Sequence, residues 1–198
     1  MVLKIGITGG ISSGKTTVTE YLNKNKNVFI FNADKESKRH LKKSLTLQKK
    51  LTHIFSDKII NNKKIDFNLL AKEAFSNSTN HKILNGVLWP EVYILINNAY
   101  KKAQNNNYNL FIVDAALIFE ANFSSFFDKT ILLITNKEKR IKRAVKRNNI
   151  PLESIQNRMR LQMSDNKKKK LADVIIYNDE DLNSLYKKID RLYKKLLL

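Results

Sequence analysis

Cysteine is absent from the chain, proline occurs twice, tryptophan once and glycine five times. Without cysteine there is no disulfide framework, no thiolate metal site and no cysteine nucleophile, and such a composition suits a reducing compartment. No stretch reaches the roughly eighteen uninterrupted apolar residues of a membrane-spanning helix. The amino terminus enters directly into Leu3-Lys4-Ile5-Gly6-Ile7, a strand pattern, and shows no secretory leader. A cytoplasmic protein without membrane association is therefore expected. Acidic residues are also scarce: 18 Asp and Glu stand against 37 Lys and Arg, a formal net charge of +19. Basic residues clustered along a phosphate backbone release counterions, so this balance invites a nucleic-acid reading. Here the excess is mostly lysine, scattered among asparagine and isoleucine as AT-rich codon usage alone would produce. No nucleic-acid partner is expected from it, although a basic surface speeds encounters with anionic small molecules.

The few glycines are not spread evenly. Gly6, Gly9, Gly10 and Gly14 fall within the first fourteen residues, and only Gly86 lies elsewhere. A glycine-poor chain concentrates the residue where the backbone needs unusual angles or approaches a ligand closely. Around this segment the chain alternates apolar runs of strand length with helix-period stretches. Strands are expected over Leu3 to Thr8, Val28 to Phe31, Leu110 to Val113, Thr130 to Ile134 and Val174 to Ile176. Helices are expected from Lys15 to Leu22, Lys35 to about Phe55, within Asp66 to Ala103, from Lys137 to Lys146, from Pro151 to about Met163, and over Asp181 to Leu198. Pro90 should begin a new helix or kink one. The alternation predicts an α/β fold with a mostly parallel sheet covered on both faces. The stretch 35–106 is too long for one crossover and reads as a helical insert. Residues 141–170 read as a small lid, which leaves 1–34, 107–140 and 171–198 as the core.

Gly9-Gly10-Ile11-Ser12-Ser13-Gly14-Lys15-Thr16 satisfies G-x-x-x-x-G-K-[ST] in full, between a predicted strand and a predicted helix. Backbone amides of such a loop cradle phosphate, and the positive end of the following helix adds to the attraction. Lys15 is placed to meet the β- and γ-phosphates, and the Thr16 hydroxyl is the expected Mg²⁺ ligand. These features imply an ATP-binding P-loop protein, in a three-layer α/β/α fold. No N-K-x-D guanine signature occurs, and the short chain argues against a motor, so phosphoryl transfer to a metabolite is favoured.

Asp34 follows the second strand, where carboxyl ends line the ligand crevice of a parallel sheet. It fits two roles equally: a base or orienting group for an attacking hydroxyl, or an ordinary N-cap ahead of Lys35. Asp114 ends Leu110-Phe111-Ile112-Val113 as a Walker-B carboxylate does, near Mg²⁺. Glu120 is either a substrate or lid contact or a surface or capping charge. Arg140, Arg143 and Arg147 share roughly one helix face; for Arg143 and Arg147 a phosphate-binding lid and a solvated basic face are both open readings. The run Lys167 to Lys170 reads as solvated.

Together these motifs resemble the dephospho-CoA kinase family across nearly the whole chain. The segment Ile7 to Val18, including Thr17, is similar to T-G-G-I-G-S-G-K-[ST]-T-V with Ser12 at a glycine position. Asn32-Ala33-Asp34 resembles D-A-D. Asp114-Ala115-Ala116-Leu117-Ile118-Phe119-Glu120 resembles D-x-P-L-L-F-E with Ala116 for Pro. Arg143 and Arg147 match R-x-x-x-R, and Gln162 with Ala172 to Asn178 matches Q…A-D-x-[VI]-I-x-N. The resemblance implies transfer of the ATP γ-phosphoryl group to the ribose 3′-hydroxyl of dephospho-CoA, with Asp34 as base and Lys15 and Arg143 stabilising the transferred charge. It further implies ATP contacts from Gly9 to Thr17 and from Arg143 and Arg147, Mg²⁺ at Thr16 and Asp114, and acceptor contacts at Asp34, Lys38, Trp89, Asp114, Leu117 and Glu120. Lys38 stands where the family has Arg, and Trp89 where it has His. Ser12 fits the cradle if its backbone angles are ordinary. The insert would receive the pantetheine-bearing substrate, in a monomer or weak homo-oligomer. Two rival readings remain: another small P-loop kinase acting on a nucleoside, nucleotide or sugar, and a basic nucleic-acid-binding ATP-dependent module.

Overall fold

A computed structural model describes residues 1–148 and 151–197. Strand β1 (Leu3–Gly9) leads through the glycine loop into α1 (Lys15–Leu22) and returns along β2 (Val28–Asn32). Helices α2 (Ala33–Lys43) and α3 (Leu45–Phe55), a small antiparallel hairpin of β3 (Ile60–Asn61) and β4 (Lys64–Ile65), α4 (Phe67–Ala74) and the long α5 (Ser78–Asn105) follow. The chain then re-enters the sheet as β5 (Leu110–Asp114) and β6 (Lys129–Ile134). Helices α6 (Lys137–Asn148), α7 (Leu152–Leu161) and α8 (Asp165–Lys169) precede β7 (Val174–Tyr177) and α9 (Leu182–Leu196).

The main sheet has the order β2-β5-β1-β6-β7, and every pairing in it is parallel. In β5 the period-2 alternation sends Leu110 and Ile112 to one face and Phe111 and Val113 to the other. The first face packs Ile5, Ile7, Ile131 and Leu133 against Val18 and Leu22 of α1 and Leu185 and Ile189 of α9. The second face packs against Ile96, Ala99 and Ala103 of α5, with Ile118, Phe119 and Phe127. A separate apolar cluster joins Leu41, Leu47, Leu51, Phe55, Leu70 and Leu84, so helices α2 to α5 hold a core of their own. Asp173 fixes β7 beside β6 by accepting from both the amide and the hydroxyl of Thr130, each at 2.7 Å. Those bonds, the hydroxyl's first, hold its carboxyl below the usual aspartate range.

Several elements depart from expectation. The helix expected over 35–55 is two helices, because Ser44 leaves the helical region and its hydroxyl caps α3 at the Leu47 amide. Of the two settings expected for Pro90, it does not begin a helix, since it lies inside α5, which runs from Ser78 to Asn105. Burial of Leu84 and Val87 before it and Ile96 and Ala99 after it outweighs the lost backbone donor. The β3–β4 hairpin and α8 have no expected counterpart: two residues per strand leave no periodicity to detect, and α8 is a single lysine-rich turn and a half. Asn62 and Lys63 make the hairpin turn with φ of 49° and 61°, the positive pair such tight turns require.

Candidate active site

The crevice is built at the carboxyl ends of the central strands. Between β1 and α1 the chain takes a tight path: φ is 152° at Gly9, 58° at Ser12 and 102° at Gly14. A Cβ on Gly9 would lie 2.5 Å from the Leu133 carbonyl oxygen, and one on Gly14 would strike the Asn178 side chain. Only glycine serves at those two positions. Ser12 is a correction to the sequence reading, because its backbone is left-handed, not ordinary. A non-glycine residue held there costs about 1–2 kcal/mol. The loop is tied back where its carbonyl at Ser13 accepts from Asn178 Nδ2 at 2.8 Å and Thr135 Oγ1 at 3.0 Å. The Ile11 amide donates to Gln162 Oε1 at 3.0 Å.

Lys15 opens α1 and folds over the loop, donating to the Gly9 carbonyl at 2.9 Å and reaching that of Gly10 at 3.5 Å. Burial is the main influence on its ammonium and pushes it below the usual lysine range. The carboxylates of Asp34 and Asp114 oppose that depression, whereas the charges of Lys168 and Arg140 add to it. Both expected carboxylates therefore act on the loop lysine, although they sit differently. Asp34 is exposed in the first turn of α2. Asp114 is only 2% exposed at the end of β5 and accepts from Asn32 Nδ2 at 3.0 Å. The same Asn32 caps α2, its Oδ1 accepting from the Lys35 amide at 2.8 Å. The capping reading of Asp34 is therefore a correction: the cap is Asn32, and Asp34 is not spent on it.

The donor set suits Mg²⁺. A buried carboxylate at a strand end and a hydroxyl, that of Thr16, one residue past the loop lysine are hard oxygen donors. Mg²⁺ in phosphate sites takes one or two protein oxygens and fills its remaining positions with water and phosphate. Among the described residues no cluster of three or more His, Cys, Asp or Glu forms a dedicated metal cage.

The far wall is formed by the chain after α6. Lys168, expected to be solvated, is instead fully buried, a second correction. Its ammonium lies 2.9 Å from Glu120 Oε1 and 3.0 Å from the Ala116 carbonyl. Glu120 also accepts from the Met163 amide at 2.9 Å, so the carboxylate is neither a surface charge nor a cap. Desolvating this lysine is tolerated because a carboxylate and a carbonyl replace its water. Arg140 bonds Asp165 at 3.0 Å, and Arg143 approaches the Asn178 carbonyl at 3.5 Å. Arg158 of α7 stacks 4.6 Å from the Phe75 ring, and its burial pulls the guanidinium below its usual range. Arg147 belongs to α6, but its side chain lies outside the described residues. Of the expected acceptor contacts, Lys38 is exposed on α2, Trp89 is half-buried on α5 and Leu117 is half-buried after β5. Thr17 is half-buried in α1.

Against this geometry, the sequence model of the dephospho-CoA kinase family matches residues 3–184. The chain belongs to that family. Dephospho-CoA kinase from Fusobacterium nucleatum is 33% identical over 192 residues, covering 96% of each chain. A crystal structure from Thermus thermophilus superposes with a TM-score of 0.80 at 26% identity and 98% coverage of both chains. The dephospho-CoA kinase structure from Campylobacter jejuni gives 0.69 at 28% identity, covering 99% of this chain and 98% of its own. Membership agrees with the parallel sheet and the glycine loop. Sequence reasoning missed the roles of Asn32, Arg140, Gln162 and Lys168. A usable signal existed for Asn32, an asparagine three residues before the Lys35 amide it caps. Nothing separates Lys168 from its three lysine neighbours until the chain is folded.

Proposed function

We propose that this protein transfers the γ-phosphoryl group of ATP to the ribose 3′-hydroxyl of dephospho-CoA, giving coenzyme A and ADP, the final step of coenzyme A biosynthesis. The carrying observation is the convergence on Lys15 of the glycine loop, the exposed Asp34 and the buried Asp114. Family membership supplies the acceptor.

In this reading the triphosphate lies along the loop from Gly9 to Thr17, and Lys15 leaves the loop carbonyls to meet the β- and γ-phosphates. Asp34 takes the proton of the 3′-hydroxyl as its oxygen attacks the γ-phosphorus, and the bond to the β-phosphate oxygen breaks to release ADP. Thr16 and Asp114 would hold Mg²⁺, which neutralises charge on the phosphate oxygens when bound. Arg143 and Arg147 close over the transferred group from a lid spanning 141–170. The helices of the 35–106 insert receive the pantetheine-bearing acceptor, with Lys38, Trp89, Leu117 and Glu120 on its path. Incubation with ATP–Mg²⁺ and a panel of acceptors tests the proposal. Dephospho-CoA should be consumed with matching release of ADP, while nucleosides, nucleotides and sugars are left unchanged. Turnover of a nucleoside with none of dephospho-CoA would overturn it.

A further inference from the structure

Two cationic side chains converge on one residue of the phosphate loop. The Lys15 ammonium lies 3.5 Å from the Gly10 carbonyl oxygen. The Arg140 guanidinium fills the space that a Cβ on Gly10 would occupy, so a side chain there would have to displace it. Arg140 reaches the loop from α6 and, among the described residues, is held by one carboxylate, Asp165 of α8, through Nη2 at 3.0 Å. Its side chain is only 12% exposed, and its buried Nε meets no acceptor among the described residues. The guanidinium also disfavours the charge on Lys15, which burial already disfavours. A buried donor left unused beside a like charge is costly, and an anion shared by both cations removes both costs.

We infer that Arg140 is a phosphate-binding residue of the nucleotide site, and that Asp165 occupies its guanidinium until a triphosphate arrives. This rests on the reading of the loop as an ATP site. The position is distinct from that of Arg143. Arg143 points its Nη2 towards the Asn178 carbonyl at the end of β7, whereas Arg140 borders the loop itself. The guanidinium fork matches phosphate oxygens as a lysine ammonium does not. Because Asp165 belongs to α8 and Arg140 to α6, the exchange of partners reports nucleotide occupancy to the segment that carries Lys168.

Equilibrium titration with ATP–Mg²⁺, and with AMP as a control lacking the β- and γ-phosphates, tests the inference without any acceptor. It is therefore independent of whether dephospho-CoA is the substrate. Arg140→Ala should weaken ATP binding by about tenfold or more, the scale of a lost charge-assisted hydrogen bond, with AMP binding little changed. Asp165→Asn removes the competing carboxylate but leaves the guanidinium, so ATP binding should be unchanged or tighter. Should Arg140→Ala fold poorly, Arg140→Gln keeps bulk and hydrogen bonding without the charge. A structural strap between α6 and α8 predicts the opposite: both partners' variants lose ATP affinity equally, or neither does. Either of those results overturns the inference.

Discussion

At the residue scale, Asp34 is the group to which the proposed function assigns the proton transfer. It is exposed beside the loop lysine, and Asn32 relieves it of capping α2. Asp34→Asn should reduce kcat about a hundredfold or more, the loss typical of a missing general base, with ATP affinity nearly retained. Turnover within a few-fold of wild type in that variant would make Asp34 a bystander. Ser12 tests the loop from the other side. Its φ of 58° is the strained choice for a side chain, and glycine would relieve it at some entropic cost in the unfolded chain. Ser12→Gly should gain about 0.5–1 kcal/mol of stability with the KM for ATP unmoved; a loss in urea unfolding would contradict the strain argument. The loop itself was legible because glycine is so rare elsewhere in the chain. Asp34 was legible only as an ambiguity, since a carboxylate two residues past a strand serves as a cap or a base, and the choice depends on which side chain captures the Lys35 amide.

Among the elements, α8 is the least foreseeable and the most consequential. It brings Asp165 to Arg140 and buries Lys168 against Glu120 and the Ala116 carbonyl. Replacing one member of a buried pair strands the other charge, so Lys168→Met should cost about 3–5 kcal/mol in urea unfolding. The double variant Lys168→Met with Glu120→Leu should recover most of that loss, because no lone charge remains. A single variant as stable as wild type would show that the pair is hydrated and that α8 is not anchored by it. The long helices were legible in periodicity but not in their breaks: Ser44 divides one predicted helix, and Pro90 fails to divide another. In each case a local preference competed with packing. Ser44 gained the Leu47 amide for its hydroxyl, whereas the buried residues flanking Pro90 carried α5 through. The pair between Glu120 and Lys168, 48 residues apart by number, exists only through tertiary packing, so no local pattern announces it.

For the whole molecule, the five parallel strands and their order set the crevice. β1 lies centrally between β5 and β6, so the glycine loop emerges beside Asp114 and opposite the Asn178 end of β7. The class of this fold was readable because apolar runs of strand length alternate with helix-period stretches. The strand order was not readable, because it is decided by which pairings bury both faces, as Phe111 and Ile112 do on opposite sides of β5. Helices α2 to α5 add an apolar cluster of their own beyond the two that cover the sheet. The central claim is that this assembly moves a phosphoryl group from ATP to a ribose hydroxyl through the Lys15 cradle. Its most direct test is a transfer assay with γ-labelled ATP–Mg²⁺ and dephospho-CoA, locating the label in the product by mass-spectrometric fragmentation, in wild type and Lys15→Ala side by side. The account predicts label on the ribose 3′-oxygen for wild type and loss of nearly all transfer for the variant. Undiminished transfer by Lys15→Ala, or label at any other position, would contradict it.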